Sequence, residues 1–477
     1  VEIITFFHLI PPCIGKELLF IDDYPCFVKF LAKGGICVQW VYNLNLMIFQ
    51  IKKAIKKVTP DFVLSGYHLG WAFLGAVRYG FPSKKLKVVG VTGTNGKSTT
   101  IAMTAAIFKE AGFRVALSSS INFEVAGDIR KNSLSNSMPG RFTIQRLLAE
   151  AVAAKCDYAF IEVTSEGIKQ HRHRFIDFIG AVFTNLTPEH IESHGGFENY
   201  RQEKLKLFYA VNGFHVVNLD DENAKYFLEA PAQKKYCFTL KDSVLPQGAP
   251  ATLIRAHDIV SRNDGVDFSV NGMDFSIGIP GAFNAANALA AIGVALSQGI
   301  GLAVCEQALR KFNALPGRME RVLEKPAVFV DYAFTPNALE LVYKDLSARY
   351  KSQGGKLICV LGSCGGGRDK WKRPVLGQIA ARCCDQIVLT NEDPFDEDPQ
   401  AIVSMVKEGV IKEGYPSANL HEIIDRKEAI RHALTLAKPQ DVIVLTGKGC
   451  EPWIRLEGGK KVAWDEKATV RELAGQP

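Results

Sequence analysis

The sequence predicts a two-domain α/β protein: a central domain with a mostly parallel sheet and a small antiparallel insert, then a C-terminal doubly wound domain. Three observations carry this expectation. A buried-strand pattern at Lys87–Thr92 runs through a glycine turn into a helix pattern at about Lys97–Glu110. Apolar runs of strand length alternate with helix-length segments as far as Leu219, and again from Ala327 to Thr446. That rhythm belongs to parallel sheets covered on both faces. Between the two stretches, residues 250–280 alternate apolar and polar residues around Asn263-Asp264-Gly265 and Asn271-Gly272, both hairpin signals.

The elements follow in order. In the first half Val115–Ser119, Tyr158–Val163, Ala181–Leu186 and His215–Leu219 read as strands. Arg141–Ala154, with Leu147, Leu148 and Val152 at helical spacing, and Phe197–Ala210 read as helices. An Ala-rich helix spans Ala282 to about Gln298, and another lies near Ala303–Phe312. Pro316-Gly317 marks a boundary. Beyond it strands Ala327–Tyr332, Lys356–Leu361, Gln386–Thr390 and Asp441–Thr446 alternate with helices Pro336–Tyr350, Pro399–Glu413 and Arg426–Leu436. This is a Rossmann-like order. The domains are therefore expected at residues 87–315 and 316–477.

Composition sets bounds on function. The chain has 477 residues, 47% of them hydrophobic and 22% charged, as soluble globular proteins do. A net charge of +7 suits an anionic substrate and does not argue for nucleic acid. Eleven scattered cysteines, with no CxxC pair and no zinc-type spacing, read as the reduced thiols of a cytoplasmic enzyme. The first methionine is Met47, and residues 1–46 read either as upstream sequence preceding the true start or as a genuine irregular extension. Residues 47–86, with Lys87, carry eight Lys/Arg against the single acid Asp61. The uncharged run Phe62–Val77 is too short for a membrane span. Two readings of this segment stay open: an interfacial helix in peripheral contact with anionic lipid, or a helix packed on the next domain.

The glycine turn is the first chemical signal. Gly93-Thr94-Asn95-Gly96-Lys97-Ser98-Thr99, between a strand and a helix, places backbone N–H groups and a helix N-terminus around an anion. Lys97 can reach the β/γ-phosphates of ATP, and the Ser98 hydroxyl can bind Mg²⁺. Val91 stands where the usual P-loop has a further glycine, so this is a shortened P-loop-type ATPase motif. Glu162 ends a buried strand, where a carboxylate points at the ligand crevice and can join Ser98 on the metal.

Further on, Phe183-Thr184-Asn185-Leu186-Thr187-Pro188-Glu189-His190 is followed by Tyr200 and by Lys204-Leu205-Lys206-Leu207-Phe208. This string resembles the Mur ligase family, whose glycine turn has the same short form. The resemblance covers roughly residues 87–470 and is most specific for the family's tripeptide-synthetase branch. It implies that Lys204 is carbamylated and helps hold a second Mg²⁺ with His190. The catalytic and metal set would then be Lys97, Ser98, Glu162, His190 and Lys204. Asn136-Ser137-Met138-Pro139-Gly140 resembles the substrate loop. Thr164, Gln170 and Arg172 fall where the branch contacts the muramoyl peptide. Phe283–Ala288 resembles the adenine-contacting helix start, with Asn287 as reader of the base. Pro316–Glu320 resembles the ATP linker, with Arg318, and Asp331–Pro336 a second ATP-contacting stretch, with Asp331. Gly365–Asp369, with Arg368, and Gly447–Glu451 resemble the amino-acid site.

The implied activity is ATP-dependent addition of an amino acid to the D-glutamate carboxylate of UDP-N-acetylmuramoyl-L-Ala-D-Glu, through an acyl phosphate, by a cytoplasmic monomer supplying peptidoglycan precursors. Four departures qualify it. Phe334 and Cys450 stand where the family has histidine. The motif that selects the amino acid is Glu392-Asp393-Pro394-Phe395, whose Phe395 cannot grip a distal carboxylate as an arginine does. Glu392, Asp393 and Glu451 then predict a cationic side chain, such as lysine, over diaminopimelate. The family's N-terminal UDP-binding signature is missing from residues 1–86. Competing readings are a related ligase acting on a lipid-linked or non-UDP carboxylate, a folylpolyglutamate- or cyanophycin-type ligase, a motion-coupled NTPase, and a membrane-tethered binding protein without catalysis.

Overall fold

The computed structural model describes residues 59–134, 137–245 and 250–475. The expectations for residues 1–46, for residues 47–58 and for Asn136 lie outside them. Residues from His68 onward belong to one unit. Helix α1 (Asp61–Arg78) buries Ala72, Gly75 and Ala76. These small residues admit the next domain closely: Trp71 packs edge-on against Phe142, 5.6 Å between centroids. Leu69, Phe73, Leu74 and Val77 remain substantially exposed.

The central domain runs β1 (Lys87–Thr92), α2 (Lys97–Glu110), β2 (Val115–Ser118), β3 (Asn122–Val125), β4 (Asp128–Lys131), α3 (Arg141–Ala153), β5 (Tyr158–Glu162), α4 (Ser165–Lys169) and β6 (Phe178–Phe183). It continues α5 (Ile191–His194), α6 (Phe197–Tyr209), β7 (Phe214–Asn218), α7 (Ala224–Glu229), β8 (Lys234–Thr239), β9 (Thr252–Arg255), β10 (His257–Ser261), β11 (Val266–Val270), β12 (Met273–Ile277), α8 (Phe283–Ser297) and α9 (Leu302–Arg310). Nine strands form one sheet in the order β4-β3-β2-β5-β1-β6-β7-β8-β9, and β10–β12 form a separate antiparallel sheet. From β2 to β9 neighbours are parallel. Both faces are covered. Val89, Val91, Phe160 and Val216 pack with α2, α8 and α9. Val88, Ala159, Ile161 and Val217 pack with α3, α6 and α7. This two-sided burial explains why the strands read as continuous apolar runs.

Two expectations are corrected. The antiparallel insert begins at His257, because Thr252–Arg255 pairs in parallel with β8. Strand β6 starts at Phe178, not Ala181, since Phe178 and Gly180 pair with Val88 and Val89. Residues 184–186 leave the sheet to brace the glycine turn. The hairpin β3–β4 went unanticipated; its exposed edge strand Asp128–Lys131 lacks an apolar pattern.

The C-terminal domain runs β13 (Glu320–Glu324), β14 (Ala327–Val330), α10 (Pro336–Lys351), β15 (Leu357–Leu361), α11 (Lys372–Cys383), β16 (Gln386–Leu389), α12 (Pro399–Lys412), β17 (Leu420–Glu422), α13 (Arg426–Leu436), β18 (Val442–Leu445), β19 (Trp453–Arg455), β20 (Lys461–Ala463) and α14 (Glu466–Leu473). Its sheet order is β13-β14-β18-β15-β16-β17, parallel except for β13. Buried Arg426, at the start of α13, donates to both Glu466 oxygens, to the Thr446 carbonyl at 2.9 Å and to the Asn391 carbonyl at 3.2 Å. Among the described residues Cys359 and Cys384 form a disulfide, 6.1 Å between Cα atoms, so the expectation of thiols throughout is corrected there. Adjacent strands β15 and β16 bring those two positions together. Cys156, Cys237, Cys305, Cys364, Cys383 and Cys450 remain thiols.

Thr335 caps α10: its hydroxyl accepts from the Ala338 N–H and donates to the Asn95 amide oxygen at 3.2 Å. Thr335→Ala is expected to cost about 1 kcal/mol. A shift of the urea midpoint at unchanged slope would show it; no shift would mean the cap contributes nothing.

Candidate active site

Strand β1 ends in the middle of the sheet, and the loop Gly93–Gly96 carries the chain into α2. Gly93 (φ 150°) and Gly96 (φ 82°) hold positive φ. A Cβ at Gly93 would strike the Thr184 hydroxyl, and one at Gly96 the Asn287 amide oxygen. Only glycine lets the loop lie this close to its neighbours. The stretch after β6 forms the cradle. Thr184 donates to the Asn95 carbonyl at 2.7 Å, the Asn185 side chain accepts from the Asn95 N–H at 2.9 Å, and the Asn185 carbonyl accepts from the Thr94 N–H at 2.8 Å.

Four of the expected site residues converge behind this loop. Ser98 donates to Glu162 Oε2 at 2.9 Å, and the Ser120 N–H donates to the same oxygen at 3.0 Å. Lys97 Nζ lies 3.6 Å from Glu162 Oε1 and donates to the Gly93 and Thr94 carbonyls at 3.1 and 2.9 Å. Lys204 Nζ reaches across from α6 to the same Gly93 carbonyl at 2.8 Å, over the Tyr200 ring. Lys204 is 2% exposed, and burial together with the nearby Lys97 charge holds its amine well below the ordinary lysine range. Lys97 is lowered for the same first reason, burial. His190 adopts φ 57° just before α5, and burial, reinforced by Arg368, Lys372 and Lys204, drives its imidazole down to about 2. It is a neutral ring, fit to ligate.

A cavity of about 1160 Å³ opens on these groups. Its wall holds all of Gly93–Thr99, Glu162, His190 and Lys204, and also Asn287, Arg318, Asp331, Ser137, Thr164 and Arg368. Asn287 donates to the Asn284 side chain at 2.9 Å. Arg318 spans the two domains, donating to the Ser120 hydroxyl at 3.0 Å while its guanidinium lies over the Tyr332 ring. Asp331 spends both oxygens on backbone, accepting from the Met319 and Ala333 N–H groups at 2.7 Å each. It therefore shapes the linker turn at the cavity wall.

The remaining expected residues stand elsewhere. Arg172 donates to the Met138 carbonyl and to Gln170 Oε1, so Gln170 and Arg172 brace the loop that carries Ser137. Glu392, Asp393, Gly447 and Glu451 form a charged cluster in the C-terminal domain, off the cavity wall. The three acids behind the expectation of a cationic substrate side chain already have partners within the chain. Buried Lys448 donates to Asp393 at 2.8 Å and to Glu451 at 2.7 Å, and buried Glu392 accepts from the Cys364 thiol at 3.1 Å. Of the departures, Phe334 lies under the Lys372 ammonium at 4.9 Å, and half-exposed Cys450 has its thiol raised by burial.

Sequence reasoning missed how the domains meet. Asp369 accepts from the N–H groups of Ile191 and Glu192 at 3.1 and 3.0 Å, and Lys372 pairs with Glu189 at 2.8 Å, both side chains 3% exposed. Glu189 and Lys372 lay within quoted motifs, but no sequence signal pairs residues so far apart.

Comparison with known proteins agrees with this arrangement. The Mur ligase middle domain matches residues 91–295, and the Mur ligase glutamate ligase domain residues 317–449. The UDP-N-acetylmuramoyl-L-alanyl-D-glutamate–2,6-diaminopimelate ligase of Clostridium tetani is 38% identical over 400 residues, 83% of this chain and 79% of that protein. The UDP-N-acetylmuramyl-tripeptide synthetase of Roseiflexus sp. is 36% identical over 424 residues, 84% and 81% respectively. A solved structure of a UDP-N-acetylmuramoyl-L-alanyl-D-glutamate–2,6-diaminopimelate ligase superimposes with a TM-score of 0.54 at 28% identity, covering 82% of this chain and 78% of that one. With the shortened phosphate loop, its cradle and the docked C-terminal domain in view, these matches place the chain in the Mur ligase family, ATP-dependent ligases that form amide bonds.

Proposed function

We propose that the chain adds an amino acid to the D-glutamate carboxylate of a UDP-N-acetylmuramoyl-L-Ala-D-Glu acceptor. The observation that carries this reading is the convergence of Lys97, Ser98, Glu162 and Lys204 on one wall of a cavity to which Arg318, Asp331 and Arg368 of the second domain also contribute. Names of the related enzymes supply the acceptor class.

The residues fit the chemistry. Ser98, Glu162, His190 and a carbamylated Lys204 would hold two Mg²⁺ ions: hydroxyl and carboxylate oxygens suit a hard cation, and burial shifts the Lys204 amine toward the unprotonated form that takes up CO₂. Bound there, the metal would neutralise charge on the transferring phosphoryl group. Lys97 adds a fixed cation beside the loop N–H groups. The acceptor carboxylate, between Ser137 and Thr164, attacks the γ-phosphorus of ATP. A C–O–P linkage forms and ADP leaves. The unprotonated amine of the amino acid then attacks the carbonyl carbon; the C–N bond forms, the C–O bond to phosphate breaks, phosphate departs with the electron pair, and the nitrogen gives up one proton. Docking of Asp369 and Lys372 onto the His190 loop would exclude water at that stage.

Phosphate release measured with ATP and Mg²⁺, omitting acceptor or amino acid in turn, tests the proposal. Release is expected only when both are present. Release without amino acid would point to a motion-coupled NTPase, and none under any condition to a binding protein.

A further inference from the structure

Helix α1 has two apolar faces. Ala72, Gly75 and Ala76 are buried, and a Cβ at Gly75 would lie 3.3 Å from the Arg141 carbonyl. This face therefore seats on the start of α3, just after the loop that carries Ser137. The opposite face holds larger side chains: Leu69, Phe73, Leu74 and Val77 are 39%, 47%, 51% and 49% exposed. On a helix they fall within roughly 140° of arc. Gly70, between them, has open space where a side chain would stand. A helix packed on a globular domain ordinarily turns its polar side outward. Here no charged residue occurs from Phe62 to Val77. We propose that the outward face of α1, with the cations that follow it, is a docking surface for an anionic lipid bilayer.

Charge selects this partner over another apolar surface. Arg78 closes α1, and Lys84 and Lys85 follow in the short turn before β1; all three are exposed. None of them forms an ion pair among the described residues. Arg78 lies over the Tyr79 ring at 5.6 Å and Lys84 over the Phe81 ring at 5.3 Å. After Asp61 the next acid in the sequence is Glu110. Asp177 reaches the turn only through its backbone, whose N–H donates to the Ser83 hydroxyl at 3.1 Å. Phe73 joins the apolar face to the basic turn, edge-on to Phe81 at 6.4 Å. Large apolar side chains bordered by unpaired cations match an anionic membrane surface: the former enter the acyl boundary, and the latter meet phosphate groups. A second copy presenting the same face would bring its own cations to the contact, with no acid to answer them. Among the described residues no helix is long and apolar enough to cross a membrane, so the contact is peripheral.

The full chain is floated with vesicles of phosphatidylcholine alone, and with vesicles holding an equal part of phosphatidylglycerol. Co-flotation is expected with the anionic vesicles and not with the neutral ones, and high salt is expected to weaken it. Arg78→Gln, Lys84→Gln and Lys85→Gln together should lower the vesicle partition coefficient about 100-fold, about fivefold per cation. Leu69→Gln, Leu74→Gln and Val77→Gln together should lower it at least about 10-fold. Both triple variants change exposed side chains and should keep the circular dichroism of wild type. If the apolar variant fails to fold, the cation variant decides alone. Binding to neither vesicle, equal binding to both, or anionic binding that survives both sets of substitutions overturns the proposal. So does a wild-type dimer in sedimentation that the apolar variant makes monomeric, since a second copy then covers the face.

Discussion

Lys204→Ala is expected to lower the ligation rate by about 100- to 1,000-fold, the scale seen when one preorganised group is removed from a charge-stabilising site. Formate or acetate at high concentration should restore part of it, because a short carboxylate can occupy the space of the missing carbamate. The expectation follows from the surroundings of the amine. Lys204 is buried in the middle of α6, donates to the Gly93 carbonyl, and feels the positive charge of Lys97. A protonated ammonium is disfavoured there. Steady-state phosphate release with and without added carboxylate checks it. Full activity in the variant, or a loss that no carboxylate repairs, would count against carbamylation.

The second large effect concerns stability. Arg426 and Glu466 are each about 1% exposed, and Arg426 also satisfies the carbonyls of Thr446 and Asn391 at the ends of two parallel strands. Arg426→Met should destabilise the C-terminal domain by about 3–5 kcal/mol, since Glu466 would be left charged and buried with two carbonyls short of a donor. Chemical denaturation followed by far-UV circular dichroism measures this. Replacing both partners, Arg426→Met with Glu466→Leu, should recover part of the loss, because the stranded charge then disappears. A single variant as stable as wild type would refute the account.

Much of the fold was legible because the parallel strands are buried on both faces, which leaves near-continuous apolar runs such as Val88–Val91. Helices α2 and α13 were readable to the residue, the first helped by the glycine turn before it. What escaped had no such signature. Helix α11 opens on Lys372 and Arg373, and its buried face includes both, their charges matched by Glu189 and Glu397. A pattern search reads those residues as solvent-facing. The metal and phosphate residues were legible because each sits at the end of a strand or the start of a helix. The charge cluster around Asp393 was not: the sequence showed three acids and gave no sign that Lys448 and Arg455 would answer them.

One carbonyl oxygen, that of Gly93, receives both Lys97 and Lys204. The two amines are therefore thermodynamically linked. Whatever factor the conversion of Lys204 from cation to anion imposes on ligand affinity at Lys97, occupancy at Lys97 must impose on that conversion in return. Under the proposed carbamylation, dissolved CO₂ would act as an effector of nucleotide binding, and nucleotide concentration would set how many molecules carry the modified lysine.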